Sequence, residues 1–295
     1  MLFSMHAAFI TALFSSPALA MNHFAGLTAS NSIGGTGTYA CRTQAQWNQL
    51  ANDAKSEGFG AIRIMGFDCN ALDMASSAAA AAGIQVLAGI YVSGTIASGM
   101  TQINNDVQTF RAAYAKYGPG RYLGLTIGNE VNDSAANIMA KVYDVRGYLG
   151  SIGVTTPVST VHTWVDIRAN AALCGADFVG ANAHVFFDGG RTSGQAGDFI
   201  FKIVVPALKA ACPGKKIIIT ESGWPSRGRN NGVAVPSVAD ERSAILSLNC
   251  ASRNDTSVSI FAFEYDDQMW KGNDNERSFG IFGKIQLDGD AFSPC

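Results

Sequence analysis

The sequence contains few charged residues, and their charges nearly cancel. Charged side chains make up 15% of the 295 residues, and 21 Lys and Arg face 23 Asp and Glu, for a net charge of −2. A near-neutral chain without basic blocks gains little from binding polyanions. The composition therefore argues against nucleic acid and membrane surfaces as partners. It favours a neutral, hydroxyl-rich ligand.

Motifs for metal and nucleotide binding are also missing. The chain has only four histidines, and neither a C-x-x-C nor an H-x-x-x-H spacing occurs. No G-x-G-x-x-G motif opens a helix after the first predicted strand, which argues against a dinucleotide-binding sheet. We therefore expect neither a metal nor an organic cofactor.

Long apolar stretches are scarce, and the one of note lies at the N-terminus. Residues 7–14 are apolar, and the small-residue site Ala18-Leu19-Ala20 follows them. This order is typical of a secretory signal peptide, although the only basic groups before it are the α-amine and His6. The alternative is an ordinary N-terminus. We predict a signal at residues 1–20 and a secreted or cell-wall protein comprising residues 21–295.

Eight strand-like runs recur through the remaining chain at the spacing of consecutive βα units. Several are continuously apolar, which is typical of parallel strands buried on both faces. The predicted strands are residues 24–29, 61–65, 84–92, 122–127, 156–161, 178–183, 216–220 and 258–263. Helical patterns lie between them at residues 44–56, 71–82, 103–117, 137–149, 168–174, 199–212 and 237–249, the sixth with Pro206 as a kink.

This alternation predicts a compact single-domain (β/α)8 TIM barrel with few insertions. A doubly wound open sheet is the competing fold. Six cysteines, an even number, suit an oxidising compartment. The barrel layout places Cys174 and Cys212 just before successive strands on one face. We therefore predict sequential disulfides, namely Cys41–Cys69, Cys174–Cys212 and Cys250–Cys295.

Two glutamates follow buried strands of this predicted barrel. Glu221 ends the seventh strand and is followed by Ser222-Gly223-Trp224-Pro225, and Glu130 follows the fourth strand after Gly128-Asn129. Active groups of such barrels lie at the carboxyl ends of strands, so both acids should face one mouth. A pair of carboxylates across a groove is what cleavage of a glycosidic bond requires. The alternative is that each acid is a solvated loop residue or a structural ion-pair partner.

The motifs around both acids resemble those of glycoside hydrolase family 17, which contains β-1,3-glucanases and β-1,3-glucan transferases. The resemblance rests on Ile-Thr-Glu-Ser-Gly-Trp-Pro-Ser within residues 215–228 and on Gly128-Asn129-Glu130-Val131. It extends to further matches along the chain at Arg63, Gly66, Asp68-Cys69-Asn70, Trp270-Lys271 and residues 276–282. It implies a retaining reaction with Glu221 as nucleophile and Glu130 as acid/base. It also implies that Asn129 donates a hydrogen bond to the sugar 2-hydroxyl.

Other candidate substrate-binding residues rest on weaker signals. Trp224 and Trp270 could stack on sugar faces, and Tyr91 ends the third strand, where it could line the groove or pack a loop. Lys271 and Glu276 match charged positions of the family, either as sugar-binding groups or as a structural ion pair. Phe186, Phe187, His162 and His184 follow the fifth and sixth strands and could be ligand contacts or loop residues. Residues 263–268 include several acids, and the sequence does not show which of them faces the groove.

The resemblance implies an enzyme that acts on β-1,3-glucan, and we expect endo-hydrolysis of internal bonds. We also expect a monomer, the default for enzymes that work on an insoluble polymer. Two alternatives remain: a β-1,3-glucanosyltransferase, and a catalytically silent glucan-binding wall protein. Another barrel glycosidase is disfavoured by Gly-Trp-Pro-Ser after the nucleophile. Of the two glycosylation sequons, Asn132 sits beside Glu130 and is expected to be unused, whereas Asn254 precedes the eighth strand on the opposite face.

Overall fold

The computed structural model describes residues 22–287 and residue 292. Eight parallel strands pair in chain order and close into a barrel, because β8 also pairs with β1. The predicted (β/α)8 TIM barrel is thereby confirmed. The strands are β1 Gly26–Thr28, β2 Ala61–Ile64, β3 Gln85–Ile90, β4 Tyr122–Asn129, β5 Val158–Thr163, β6 Val179–Asn182, β7 Ile217–Ser222 and β8 Val258–Ala262.

The α-helices of the described residues surround the barrel. They are α1 Gln44–Ser56, α2 Ala71–Ala82, α3 Ile96–Tyr117, α4 Ala135–Ser151, α5 Trp164–Ala169, α6 Ala196–Phe199, α7 Val205–Ala211 and α8 Val238–Asn254. Both α1 and α2 match the predicted bounds. The third helix begins earlier than predicted, because Thr95 and Ser98 form a capping box ahead of the apolar pattern.

Two helical predictions need correction. The helix predicted at residues 168–174 is instead α5, capped by the Thr163 side chain, followed by a 3₁₀ turn at Ala171–Gly175. The helix predicted at residues 199–212 is α6 and α7 joined by a π-helical turn at Ile200–Val204. Because Pro206 has no backbone N–H, the preceding turn cannot complete its regular hydrogen-bond ladder.

The barrel interior changes from apolar to polar along the strands. Five side chains from different strand segments form a buried apolar cluster of their own: Ala61, Leu87, Phe178, Ile218 and Phe261. Towards the carboxyl ends, Thr28 donates to the Thr220 carbonyl at 2.9 Å, and the buried Arg63 lies beside it. The polar side chains near the carboxyl ends of the strands therefore allow ionised groups to lie in the barrel mouth.

Disulfides Cys41–Cys69 and Cys174–Cys212 are both present, which confirms two of the predicted pairs. The third prediction, Cys250–Cys295, involves Cys295, which lies outside the described residues. The predicted signal at residues 1–20 lies outside them as well. Within residues 22–287 and 292, no helix has the length and apolarity needed to cross a membrane.

Candidate active site

Glu221 is held in the barrel mouth by two basic side chains. It lies near the end of β7, where every residue is buried, and is itself 6% exposed. Arg63 Nη1 donates to Glu221 Oε1 at 2.6 Å, and His184 Nε2 lies 3.2 Å from Oε2. Both carboxylate oxygens thus have partners, which fixes the direction in which Glu221 points.

Glu130 is positioned by an unusual backbone turn. Its φ of 53° lies in the left-handed region, and Gly128, two residues earlier, has φ of 80°. Any Cβ at position 128 would collide with the Val131 side chain, so glycine is required there. The Glu130 amide donates to the Val161 carbonyl at 2.8 Å, which ties the turn to β5. A strained non-glycine conformation at such a place is typical of functional residues.

Asn129 lies between the two acids in one hydrogen-bond network. Its Oδ1 accepts from Arg63 Nη2 at 2.8 Å and from Asn182 Nδ2 at 3.1 Å. Asn182 also donates to Glu130 Oε1 at 2.8 Å and accepts at Oδ1 from the Thr220 hydroxyl. With its oxygen occupied, Asn129 has Nδ2 available and donating to no group in the described part of the chain. This is the orientation needed to bind a sugar hydroxyl.

The environments of the two acids drive their pKa values apart. Desolvation disfavours ionised Glu221, but the Arg63 charge and the His184 contact outweigh it and lower the carboxyl pKa to about 2. Glu130 is open to the cleft, yet the cleft walls desolvate its carboxyl, which raises the pKa above its usual value. The negative charge of Glu221 raises it further, against the hydrogen bond from Asn182. The surroundings thus favour the ionised form of Glu221 and, relative to an ordinary glutamate, the protonated form of Glu130.

Both acids line a cavity of about 460 Å³ at the barrel mouth. Its lining is rich in aromatic residues. Trp164 and Phe187 have exposed ring surface that a pyranose can contact, whereas Phe199, Phe263 and Phe279 are buried in the wall. A hydroxyl-rich ligand would therefore meet polar groups beside the acids and apolar faces around them.

Several residues of this site were not predicted as site residues from the sequence. Arg63 was only a family match, and Asn182, Phe263 and Phe279 were not singled out as candidates. His184 is a contact of Glu221, and its ring packs edge-on against Phe263 and Phe279. Arg63, Asn182, His184 and Phe263 share a position at or just after a strand end, where parallel strands deliver side chains to the mouth. Phe279 lies farther along the chain, in the loop region after β8.

The remaining predicted residues divide between the cavity and its rim. Glu276 lines the cavity. Lys271 forms an ion pair at 2.7 Å with Glu264, a fully buried acid whose pKa is raised by desolvation to about 7. The buried Glu264 therefore holds the Lys271 side chain in position through this ion pair. Trp270 and Tyr91 are exposed and do not line this cavity.

Trp224 requires a correction. We expected its ring to contact substrate, but the side chain is 0% exposed. Its ring packs edge-on against Phe186 at 5.2 Å, and Nε1 donates to the Val235 carbonyl at 2.9 Å. Because no face of the ring is open, Trp224 supports the loop after Glu221 from the core, and other aromatic residues form the cleft wall.

Replacing Trp224 with alanine should therefore affect stability more than binding. Removal of a fully buried tryptophan costs roughly 3–5 kcal/mol of unfolding free energy. The same change at the exposed Trp270 should cost about 0.5 kcal/mol. Urea unfolding of both variants beside the parent protein measures the difference. Equal losses for the two variants would contradict the buried placement of Trp224.

Within residues 22–287 and 292, no group of three or more His, Cys, Asp or Glu side chains is arranged to hold a metal ion. Two carboxyl groups with opposite pKa shifts and a fixed amide, at the mouth of a (β/α)8 barrel, are typical of a glycosidase-type active site.

A family model described as "BtgE/BtgC glycoside hydrolase domain" matches residues 28–281, and the chain belongs to this glycoside hydrolase family. The cell surface mannoprotein MP65 of Candida albicans is 32% identical over 82% of the chain. The probable β-glucosidase btgE of Aspergillus fumigatus is 32% identical over 77%, and the probable family 17 glucosidase SCW4 of Saccharomyces cerevisiae is 31% identical over 79%. The resemblance to family 17 is thereby confirmed.

The matched region covers 63% of MP65, 58% of SCW4 and 40% of btgE, so these relatives are longer proteins. Together with the two disulfides, the cell-surface relative supports the predicted secreted or cell-wall location. Among solved structures, a glycoside hydrolase family 17 β-1,3-glucanosyltransferase of Rhizomucor miehei has a TM-score of 0.74 at 21% identity. The match covers 88% of this chain and 92% of that one, and it establishes a shared fold.

Proposed function

We propose that the protein cleaves β-1,3-glucan by a retaining double displacement, with Glu221 as nucleophile and Glu130 as acid/base. The observation that carries this proposal is the placement of both carboxyl groups in one cavity and one hydrogen-bond network, where Arg63 and His184 contact Glu221 and Asn182 contacts Glu130. The opposite shifts of the two carboxyl pKa values agree with this arrangement. An ionised Glu221 can attack an anomeric carbon, while a protonated Glu130 can donate to the glycosidic oxygen.

In the first step, Glu221 Oε2 or Oε1 forms a bond to the anomeric carbon as the glycosidic C–O bond breaks. The proton of Glu130 goes to the leaving oxygen, which departs as a sugar hydroxyl. Asn129 Nδ2 stabilises the developing positive charge on the sugar ring through its contact with the 2-hydroxyl. Arg63 and His184 keep Glu221 oriented during the attack.

In the second step, Glu130 acts as a base and removes a proton from the incoming hydroxyl. Glu221 has lost its negative charge in the ester, so one cause of the raised Glu130 pKa disappears. The incoming oxygen attacks the anomeric carbon and releases Glu221 as a carboxylate. If that oxygen belongs to water, the outcome is endo-hydrolysis. If it belongs to a sugar, the glycosyl group is transferred.

The choice of β-1,3-glucan follows from the family. SCW4 carries the name of a family 17 glucosidase, and the Rhizomucor miehei neighbour is a β-1,3-glucanosyltransferase. An active-site mutant of that neighbour was crystallised with laminaritriose, a β-1,3-linked trisaccharide. By this analogy, the substrate is a cell-wall polysaccharide, and we propose that the enzyme acts on it as a monomer without a cofactor.

Transfer is the second candidate function, and one observation favours it. On the Glu130 side of the cavity, Trp164 and Val165 form an apolar wall, and the buried Phe199 packs edge-on against Trp164. Because Glu130 protonates the leaving group, the leaving sugar and any acceptor sugar bind on this side. An apolar wall there increases the residence of a sugar acceptor relative to water.

Incubation of the protein with laminarihexaose that is labelled at its reducing end tests both candidates. Shorter products alone indicate hydrolysis, and products longer than the hexasaccharide indicate transfer. Proton NMR of the first product should show the β-anomer if the mechanism is retaining. Initial release of the α-anomer would refute the double displacement, and binding without any product would favour the glucan-binding wall protein.

A further inference from the structure

Two exposed aromatic rings meet at the rim on the far side of the mouth from Glu130. Tyr39 is 44% exposed and Trp270 is 38% exposed. Their ring centroids lie 5.0 Å apart with an interplanar angle of 75°, so the rings form an open corner. Apolar surface gathered at one exposed place is typical of binding surfaces, whereas single exposed side chains are not.

The rigidity of this corner indicates a built site. Asp68 accepts from the Tyr39 hydroxyl at 2.5 Å and from Asn31 Nδ2 at 2.7 Å. Trp270 Nε1 donates to Gln268 Oε1 at 2.9 Å. The disulfide Cys41–Cys69 joins the Tyr39 loop to the turn that carries Asp68. Both rings are therefore held before any ligand arrives, which reduces the entropy lost on binding.

A buried polar atom at the base of the corner has no partner among the described residues. Asn31 is 5% exposed, its Nδ2 is used by Asp68 and the Gly66 carbonyl, and its Oδ1 accepts no hydrogen bond. Leaving such an acceptor unpaired costs free energy. A hydroxyl-bearing ligand, or water that it displaces, could satisfy it.

The position of the corner identifies the part of the substrate that reaches it. Gly66 and Asp68 follow β2, and Trp270 follows β8, whereas Glu130 and Trp164 follow β4 and β5 across the closed barrel. The leaving sugar lies on the side of its proton donor. The sugar that stays bound to Glu221 therefore extends towards β1, β2 and β8.

The loop of Trp270 also connects the corner to the cavity. Lys271, the next residue, lies 4.8 Å from the centre of the Phe263 ring, and Glu276 in the same loop lines the cavity. A glucan bound at Glu221 can thus continue along this loop to the corner.

We propose that Tyr39 and Trp270 bind successive glucosyl residues of the retained, non-reducing part of a β-1,3-glucan. This inference rests on the proposed function and specifies its substrate. Carbons 1 and 3 of a pyranose are separated by a single ring carbon, so a β-1,3-linked chain changes direction at each residue. A 1,4-linked chain runs straight through each ring and favours coplanar platforms. Two rings at 75° match the turning chain.

Calorimetric titration in an inactive Glu221→Gln background tests the corner. Tyr39→Ala and Trp270→Ala should each weaken laminarihexaose binding by roughly 10-fold, the effect expected from loss of one aromatic contact. Laminaribiose, which ends within the cavity, should be unaffected. Tyr39→Phe keeps the ring and should retain most of the affinity. Cellohexaose should bind equally to all variants.

Tyr143→Ala is the matched control, because Tyr143 is also 44% exposed but lies on α4. Thermal melting identifies any variant that fails to fold, in which case Tyr39→Phe and Trp270→Phe are compared. If both alanine variants bind laminarihexaose as tightly as Tyr143→Ala does, the proposed role of the corner is wrong. The proposed function is unaffected by that result. If the Glu221→Gln protein binds neither oligosaccharide, both proposals fail.

Discussion

Replacing Glu221 with glutamine is expected to lower kcat/KM on β-1,3-glucan by about 10,000-fold, equivalent to roughly 5.5 kcal/mol of transition-state stabilisation. The amide is nearly isosteric but cannot attack an anomeric carbon. It also leaves the buried Arg63 without its charged partner, which is 2.6 Å away in the parent protein. The loss of an ion-pair partner can destabilise the fold, so the assay requires a parallel unfolding measurement.

Chemical rescue separates the catalytic role of Glu221 from a structural one. In a Glu221→Ala variant, azide can enter the vacated space and attack an activated aryl β-glucoside directly. The expected product is the α-glycosyl azide, formed with a single inversion. A variant that folds normally and still cleaves glucan at the parental rate would show that Glu221 is not the nucleophile.

Replacing Glu130 with alanine is expected to lower kcat/KM on glucan by about 10²–10⁴-fold, the range typical of general acid–base catalysis. The loss should shrink on an aryl glucoside whose leaving group needs no proton. Azide should now yield the β-glycosyl azide, because it replaces the acceptor after the ester with Glu221 has formed. Opposite anomers from the two variants would distinguish the two roles. The same anomer from both would contradict the assignment.

The pH profile gives a second measure of Glu130. Its pKa is raised above the ordinary glutamate value of 4.5, so it is protonated, and active as an acid, below that raised pKa. Activity on glucan should fall as pH rises through it. Glu221, with a pKa of about 2, stays ionised through the acidic range and should not limit activity there.

Glu130→Ala assayed on the activated glucoside serves as the control for this profile. Its alkaline decline should disappear, since no proton donor is needed for that substrate. Persistence of the decline at the same pH would assign it to a group other than Glu130.

The barrel could be predicted from the sequence because the features that indicate it lie within short segments of the chain. Continuous apolar runs at βα spacing define strands such as β7, and strand-end position identifies Glu130 and Glu221. Two of the disulfides also follow from this layout. Helix ends such as Thr95 at α3 were less predictable, because a cap depends on one polar side chain outside the apolar pattern.

The identity of the aromatic residues at the site could not be predicted in the same way. Trp224 follows Glu221 in sequence, but its ring turns into the core, whereas the exposed ring of Phe187, from the segment after β6, lines the cavity. Sequence shows that a large ring is present near an acid. It does not show which face of the loop carries that ring.

The sequence by itself determined the barrel, the two acids and the family, because each depends on short motifs and on the period of buried strands. Only the tertiary structure decided the directions in which the pKa values of those acids shift. Arg63 from β2 and His184 after β6 lower the pKa of Glu221, and Asn182 from β6 joins Glu130 to Asn129. These groups are far apart in sequence, and the Coulomb and desolvation energies that separate the two pKa values depend on distance and burial in the folded barrel.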